Sequence, residues 1–326
     1  MTAGEFQSAL NPAAAESAHI VHLWWIFFWV TLVIFALVAV CLFIAILRNI
    51  RRGPDDAQLE IFAEPTQATE TRGRNVVSVL VIITVLILFA LLIADFVTGN
   101  AIYATPDPNA LAIKITGHQW WWEVEYKDPQ PSEIMTTANE IHVPIGKTVK
   151  MELQSADVIH SFWVPNIHGK KDLVPGHPAT TWFTANRAGE FRGQCAEYCG
   201  EEHALMRLVF VAEPEEQFSS WLATQKKSPR EPSTDPQRRG RDVFVSAQCV
   251  MCHTIQGTKA RATLGPDLTH IASRKMIGAG ELPNTRGYLA GWILNASALK
   301  PGVHMPPTQL SSDDLNALLD YLESLK

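Results

Sequence analysis

Residues 193–206 read GQCAEYCGEEHALM and place two cysteines (Cys195, Cys199), a histidine (His203) and a methionine (Met206) on one short stretch. A thiol pair alone fits a disulfide in an oxidising compartment or part of a zinc site, but neither has use for a thioether. Two thiolates, an imidazole and a thioether together are the soft and borderline donor set that selects copper. A single copper would take one cysteine. Two cysteines on one loop can instead bridge two coppers through sulfur, which leaves each ion one histidine and one weak axial ligand. The second histidine must come from elsewhere, and His160 in SADVIHSFWVPNIHGKKDLVPG (155–176) is the candidate, on a loop after TVKMELQS (148–155).

Outward from this loop, residues 110–213 break into short β-branched or aromatic runs (LAIKITG, WWEVEY, NEIHVP, TVKMELQS, ATTWFTA, LMRLVFVAE) punctuated by Gly, Pro and Asn. That spacing predicts an antiparallel sandwich or Greek-key barrel. The composition changes in KKSPREPSTDP (226–236), rich in Pro, Ser and charge, and a linker is expected over 214–236. Residues 237–326 carry helical patterns separated by Gly and Pro loops. In SSDDLNALLDYLESLK, Ser311 three places before Asp314 suits a helix start, and Leu315, Leu318, Leu319 and Leu322 share one helical face. The sandwich region holds 9 Lys or Arg against 13 Asp or Glu, whereas the helical region holds 10 against 7. Opposite signs favour docking of the tethered domains, and salt is expected to weaken it.

The N-terminal part is of another kind. Of the 326 residues 47% are hydrophobic and the formal net charge is −6, but the apolar residues are concentrated: none of Asp, Glu, Lys or Arg occurs between Ile20 and Leu47 or between Val76 and Ala94. Each run is long enough for a bilayer, which takes about 20 apolar residues as a helix. Trp24, Trp25 and Trp29 sit at the start of the first run, as an interfacial aromatic belt would. Spans are expected at about 22–47 and 76–97 within a hairpin of residues 22–98. The intervening loop carries Arg48, Arg51, Arg52, Arg72 and Arg74 while residues 1–21 carry no Lys or Arg, so the loop is expected in the cytoplasm and both termini outside. With no basic n-region, the first helix is expected to be retained rather than cleaved. Cys41 within it reads as a packing residue.

Cys249-Val250-Met251-Cys252-His253 is a CxxCH sequence, the signature of covalent c-type haem attachment, in which two thiols add to the vinyl groups and the adjacent histidine reaches the iron. A six-coordinate electron-transfer haem takes a second axial ligand, and methionine raises its potential. Met305 in KPGVHMPP (300–307) is the choice, with Met276 and His304 as competitors.

Residues 237–326 resemble a class I cytochrome c. The resemblance matches Gly240 and Phe244 to that family's first helix and Leu318 and Tyr321 to its last. It implies that Pro266, in LGPDL, orients the proximal histidine and that Arg274 and Trp292 contact the haem propionates. GHQWWWEVEY (117–126), the His160 stretch and the 193–206 loop closely resemble subunit 2 of cytochrome c oxidase, a resemblance that covers about residues 20–213. It implies a two-helix membrane hairpin and a cupredoxin-like domain over 99–213 bearing the dinuclear copper centre called CuA. Carried over, Cys195 and Cys199 bridge, His160 and His203 are terminal ligands, Met206 is axial on one copper and the Glu197 carbonyl on the other. The Glu197 side chain would ligate a magnesium ion shared with the catalytic subunit, and Trp120 corresponds to the aromatic that receives electrons from cytochrome c. Asp172 lies in the family's loop near the subunit boundary. One departure is plain: the family's glutamate ahead of Trp-Thr and a proline, which marks proton uptake, has no counterpart in TETRGRNVVSVLVIITVL (69–86), where Glu70 is the nearest carboxylate.

The resemblance implies the electron-input subunit of a membrane haem-copper oxidase in a bacterial inner membrane, working with subunit 1 and other oxidase subunits. Its donor would be a cytochrome c or a quinol-oxidising complex, and no nucleic acid is expected. The same module would serve a nitric oxide reductase. A membrane-tethered copper chaperone is the alternative of another class, and it would carry a thioredoxin-like fold.

Overall fold

The computed structural model describes residues 7–51, 66–102 and 107–326; Arg52 and most of the proposed cytoplasmic loop lie outside these residues. The chain divides into two units, residues 19–104 and residues 1–18 with 105–326.

The first unit is built on two long helices, α1 (Ala15–Ile50) and α2 (Gln67–Ile102). Both are apolar on every face, and side chains such as Phe35, Leu37, Leu86 and Phe96 are exposed. A helix with no polar side has nothing to turn toward water, and both are long and apolar enough to cross a membrane. Each extends several residues beyond the apolar run that announced it.

In the second unit the short strands form a sandwich of two five-stranded sheets. One contains β1 (Leu111–His118), β2 (Trp121–Tyr126), β3 (Met135–Ala138), β5 (Thr148–Ser155) and β8 (Ala179–Thr184) in the order β3-β2-β1-β5-β8. The other contains β4 (Glu140–Pro144), β6 (His160–Trp163), β7 (Lys171–Leu173), β9 (Gly189–Cys195) and β10 (Arg207–Glu213) in the order β4-β10-β9-β6-β7. Pairing is antiparallel except between β1 and β5 and between β10 and β4. Period-two alternation sets the faces: Trp122, Val124 and Tyr126 of β2 and Val149, Met151 and Leu153 of β5 point into the core, all at most 1% exposed. The neighbours between them point outward.

Two features of the sandwich were not expected. Residues leading into α1 are stitched to it: Ala13 N–H donates to the Asn166 carbonyl at 2.7 Å, Asn186 N–H to the Ala13 carbonyl at 2.9 Å, and Thr184 N–H to Glu16 Oε2 at 3.0 Å. Ala13 and Ala14 are fully buried. Within the stretch 214–236, taken as linker, lies α3 (Glu215–Gln225), whose Phe218 joins the sandwich core while Trp221 stacks on His142 at 4.0 Å. Phe218, Trp221 and Leu222 recur at helical spacing, an apolar stripe that the flanking charge obscures.

The C-terminal region is helical: α4 (Asp235–Ser246), α5 (Arg286–Leu299) and α6 (Ser312–Leu322). Thr234 and Gln237 form a capping box on α4, and Ser311 Oγ accepts the Asp314 N–H at 3.1 Å at the start of α6. Helices α4 and α6 cross so closely at Gly240 that a Cβ there would lie 1.9 Å from the Ala317 carbonyl oxygen. Phe244 and Tyr321 meet edge to face beside this crossing, with Leu318 buried alongside. These are the four residues matched to the cytochrome pattern.

Candidate metal centre and haem-attachment site

The copper-type donors arrive from three places. Cys195 ends β9, Cys199, His203 and Met206 occupy the loop between β9 and β10, and His160 opens β6. Strand β6 lies beside β9, pairing Phe162 with Cys195, and this register brings a histidine 35 residues away to the first thiol. His160 Nδ1 is 3.9 Å from Cys195 Sγ, His203 Nδ1 is 3.7 Å from Cys199 Sγ, Met206 Sδ is 3.9 Å from Cys199 Sγ, and the Cys195 thiol lies 3.2 Å from the Glu197 carbonyl. Ligands about 2.0–2.3 Å from one small ion would be separated by such distances. His160, Cys195 and Cys199 have all their ligating atoms within 4.8 Å of one another. Both cysteines are free thiols, and both are 2% exposed.

Electrostatics favour a charged, metal-ready arrangement. The Cys199 thiol stabilises a Cys195 thiolate, helped against burial by His160 and nearby backbone groups, and holds Cys195 far below the usual thiol range. Cys199, facing that charge and buried, is pushed up. Burial works against protonation of His160, but its bonds to Cys195 and Asp157 outweigh this and raise it. Asp157 Oδ1 lies 2.8 Å from His160 Nε2, so the carboxylate holds a proton on Nε2 and Nδ1, the nitrogen that faces Cys195, is the one that would give up its proton to a metal. Nothing in the run of residues announced Asp157 beyond its place three positions before the histidine.

The three tryptophans separate. Trp122 is fully buried in the core, and Trp121 faces the other way and stacks on His118 at 4.3 Å. Trp120 leans on the metal loop: its indole N–H donates to the Cys199 carbonyl at 3.0 Å, and the Gln119 side-chain amide donates to the same oxygen at 2.7 Å. The Glu197 carboxylate pairs with Lys170 at 3.1 Å, which also meets Asp172 at 3.1 Å.

The second site is local. Cys249 and Cys252 flank a tight turn, and His253 N–H donates to the Cys249 carbonyl at 3.0 Å. His253 Nδ1–H donates to the Pro266 carbonyl at 2.8 Å. A carbonyl only accepts, so the proton sits on Nδ1 and Nε2 keeps a lone pair; burial lowers the ring's proton affinity further. Two free half-buried thiols beside a neutral imidazole so oriented fit a covalently held haem. Met305 is half-buried on the loop joining α5 to α6. Its competitor His304 has its ring against Trp120, and Met276 is in a short strand opposite Pro283. Arg274 is buried and donates to the Asp267 carbonyl, with Nε left unpaired, while Trp292 packs on the helical core near Gly278.

The family description "Cytochrome C oxidase subunit II, periplasmic domain" matches residues 111–213, and "Cytochrome c" matches residues 237–326. A protein of Alkalihalophilus pseudofirmus named cytochrome c oxidase subunit 2 is 35% identical over 306 residues, 91% of this chain and 85% of that protein. Its namesake from Bacillus sp. is 31% identical over 68% of this chain and 64% of its own length. The solved periplasmic domain of cytochrome oxidase subunit II from Bradyrhizobium japonicum is 36% identical, covering 36% of this chain and 96% of that one, with a TM-score of 0.34.

Proposed function

Because the chain belongs to the cytochrome c oxidase subunit 2 family, we propose that it carries electrons from a haem on its helical domain to a dinuclear copper centre on its sandwich, for delivery to subunit 1 of the oxidase. The observation that carries this reading is the convergence of Cys195, Cys199, His160, His203 and Met206 with the Glu197 carbonyl on one buried spot. When bound, a copper centre held by Cys195, Cys199, His160, His203 and Met206 would accept and release one electron at a time, as would a haem held through Cys249, Cys252 and His253, whose potential a thioether ligand would raise.

The chain's own residues supply rigidity. Cys195 and Cys199 stay charged or hydrogen-bonded in a water-excluded pocket, Asp157 locks the His160 ring, and the Pro266 carbonyl locks His253. Donors held this firmly move little when charge changes, which keeps reorganisation small. Met305, on the loop before α6, would supply the second iron ligand, and Arg274 and Trp292 would contact the propionates. The Glu197 carboxylate, paired with Lys170, would be this chain's ligand for a magnesium ion at the boundary with subunit 1. Helices α1 and α2 anchor the subunit in the bacterial inner membrane with the redox domains on the outer face. The donor is a cytochrome c or a quinol-oxidising complex, and the catalytic subunit reduces dioxygen and translocates protons.

Electron paramagnetic resonance of the full chain, loaded with copper and partly oxidised, tests this. Copper hyperfine structure from one electron shared by two nuclei is expected. A signal from a single isolated copper would overturn the dinuclear reading.

A further inference from the structure

The face of the sandwich that carries the metal loop is covered by the helical domain of the same chain. Lys300, at the end of α5, reaches Glu202, which lies between Cys199 and His203; Nζ and Oε2 are 3.0 Å apart, and the two residues are 2% and 1% exposed. The same Nζ lies 3.3 Å from the Gly278 carbonyl. Around this pair the backbones touch: Arg207 N–H, one residue after Met206, donates to the Ala279 carbonyl at 3.0 Å, and its side chain meets Glu281 at 2.9 Å. Gly302 fits so tightly that a Cβ would approach Glu201 to 2.9 Å. A second set of contacts lies further along the seam, where Lys275 N–H donates to Glu140 Oε2 at 3.0 Å.

Within this seam the His304 ring sits over Trp120 with centroids 4.8 Å apart, and the far side of that indole donates to the carbonyl of Cys199. Trp120 itself is 8% exposed. The residue next to the expected iron ligand thus touches the residue bonded to a bridging cysteine.

We infer that the helical domain is a fixed cap on the metal loop, latched by Lys300 and Glu202, and that His304 against Trp120 is the contact through which electrons cross, so that Trp120 is closed to a separate donor protein. The inference rests on the functional reading above and goes beyond it. One electron crosses per event: ferrous haem is oxidised to ferric, and the copper pair is reduced by one. No bond forms or breaks and no proton moves. A separate one-electron donor reduces the haem on the outward side of the cap. Because both latch partners are dry, salt screens their attraction little, so the crossing rate is expected to be insensitive to ionic strength and to viscosity. A domain that shuttled on its tether, or docked by net charge alone, would respond to both.

The test uses the full chain loaded with haem and copper. Hydrogen exchange should find residues 199–206 and 299–305 protected together, and Lys300→Glu should release both, by about a hundredfold or more, since a buried charge robbed of its partner costs at least that. Arg239→Glu, which breaks the exposed pair with Asp314, should release neither. Photochemical reduction of the haem then reads the crossing: His304→Ala should slow copper reduction at least tenfold with the methionine-ligated haem spectrum intact, and His304→Phe should restore most of the rate. Free exchange of 299–305 in the unaltered chain would overturn the cap, and unchanged transfer in His304→Ala would overturn the bridge. A chain whose copper spectrum shows no shared electron would instead fail the functional reading itself.

Discussion

The metal loop and the haem-attachment segment are both short runs of ligating residues, yet the protein supports them in opposite ways. The copper-type donors are buried, His203 half-buried, and come from β6, β9 and the following loop; Cys195, Cys199 and Met206 are themselves part of a sandwich core of 28 buried apolar residues. Cys249, Cys252 and His253 of the CxxCH run are half-buried, lie within five consecutive positions, and stand on a core of 12. A site gathered from distant strands exists only once the sheet has formed, so the fold comes first and the metal second. A site gathered from neighbours in sequence needs no fold at all, and so small a helical core depends on what is attached to it.

Replacing both Cys249 and Cys252 by Ala should press this contrast hardest. Covalent haem should disappear and the helical domain should lose its near-ultraviolet circular dichroism, while the shared-electron copper signal persists. Loss of the copper signal as well would mean that the sandwich leans on its cap more than its core suggests. Cys199→Ser is the converse: the two-copper spectrum should be lost, but urea unfolding of the metal-free sandwich should shift by only about 1 kcal/mol.

Gly240→Ala tests the helical core. The added methyl collides with the Ala317 carbonyl, and a loss of about 3 kcal/mol is expected for that domain's thermal transition, with none for the sandwich. Asp157→Asn replaces the carboxylate that orients His160. Copper affinity, measured by competition with a chelator, should fall about 10–100-fold without loss of fold.

The smallest effect is one of pH. Burial works to raise the Glu140 carboxyl, but its contacts with His142 and the Lys275 N–H outweigh this and hold it below its ordinary value. A depressed carboxylate stabilises the fold above its unfolded pKa and ceases to do so as pH falls through the folded one. Stability measured in acid, from about pH 5 downward, should therefore decline less steeply in Glu140→Gln than in the unaltered chain.

Much of this was legible in the residues, and for identifiable reasons. Charge-free runs announce membrane-length helices because a bilayer tolerates little else. CVMCH is read at sight because its chemistry is local. Phe218, Trp221 and Leu222 could have revealed α3 inside the supposed linker, but charged and polar neighbours masked the stripe. Asp157, Glu202 and Lys300 carried no such mark. Each is an ordinary charged residue until folding sets it beside a partner, at the surface for Asp157 and buried for Glu202 and Lys300.

By itself the sequence determined the kinds of donor, the alternation that turns Trp122 inward and Trp121 outward, and the caps of α4 and α6. All of these rest on residues near one another in the chain or on a periodicity of two or 3.6. Only the tertiary structure decided that β6 lies beside β9 and so delivers His160 to Cys195, that residues 7–18 belong to the sandwich, and that Lys300 closes on Glu202. Those pairings span tens to more than a hundred and fifty positions, and what selects them is burial and hydrogen bonding in the assembled core, energies that no local stretch of sequence contains.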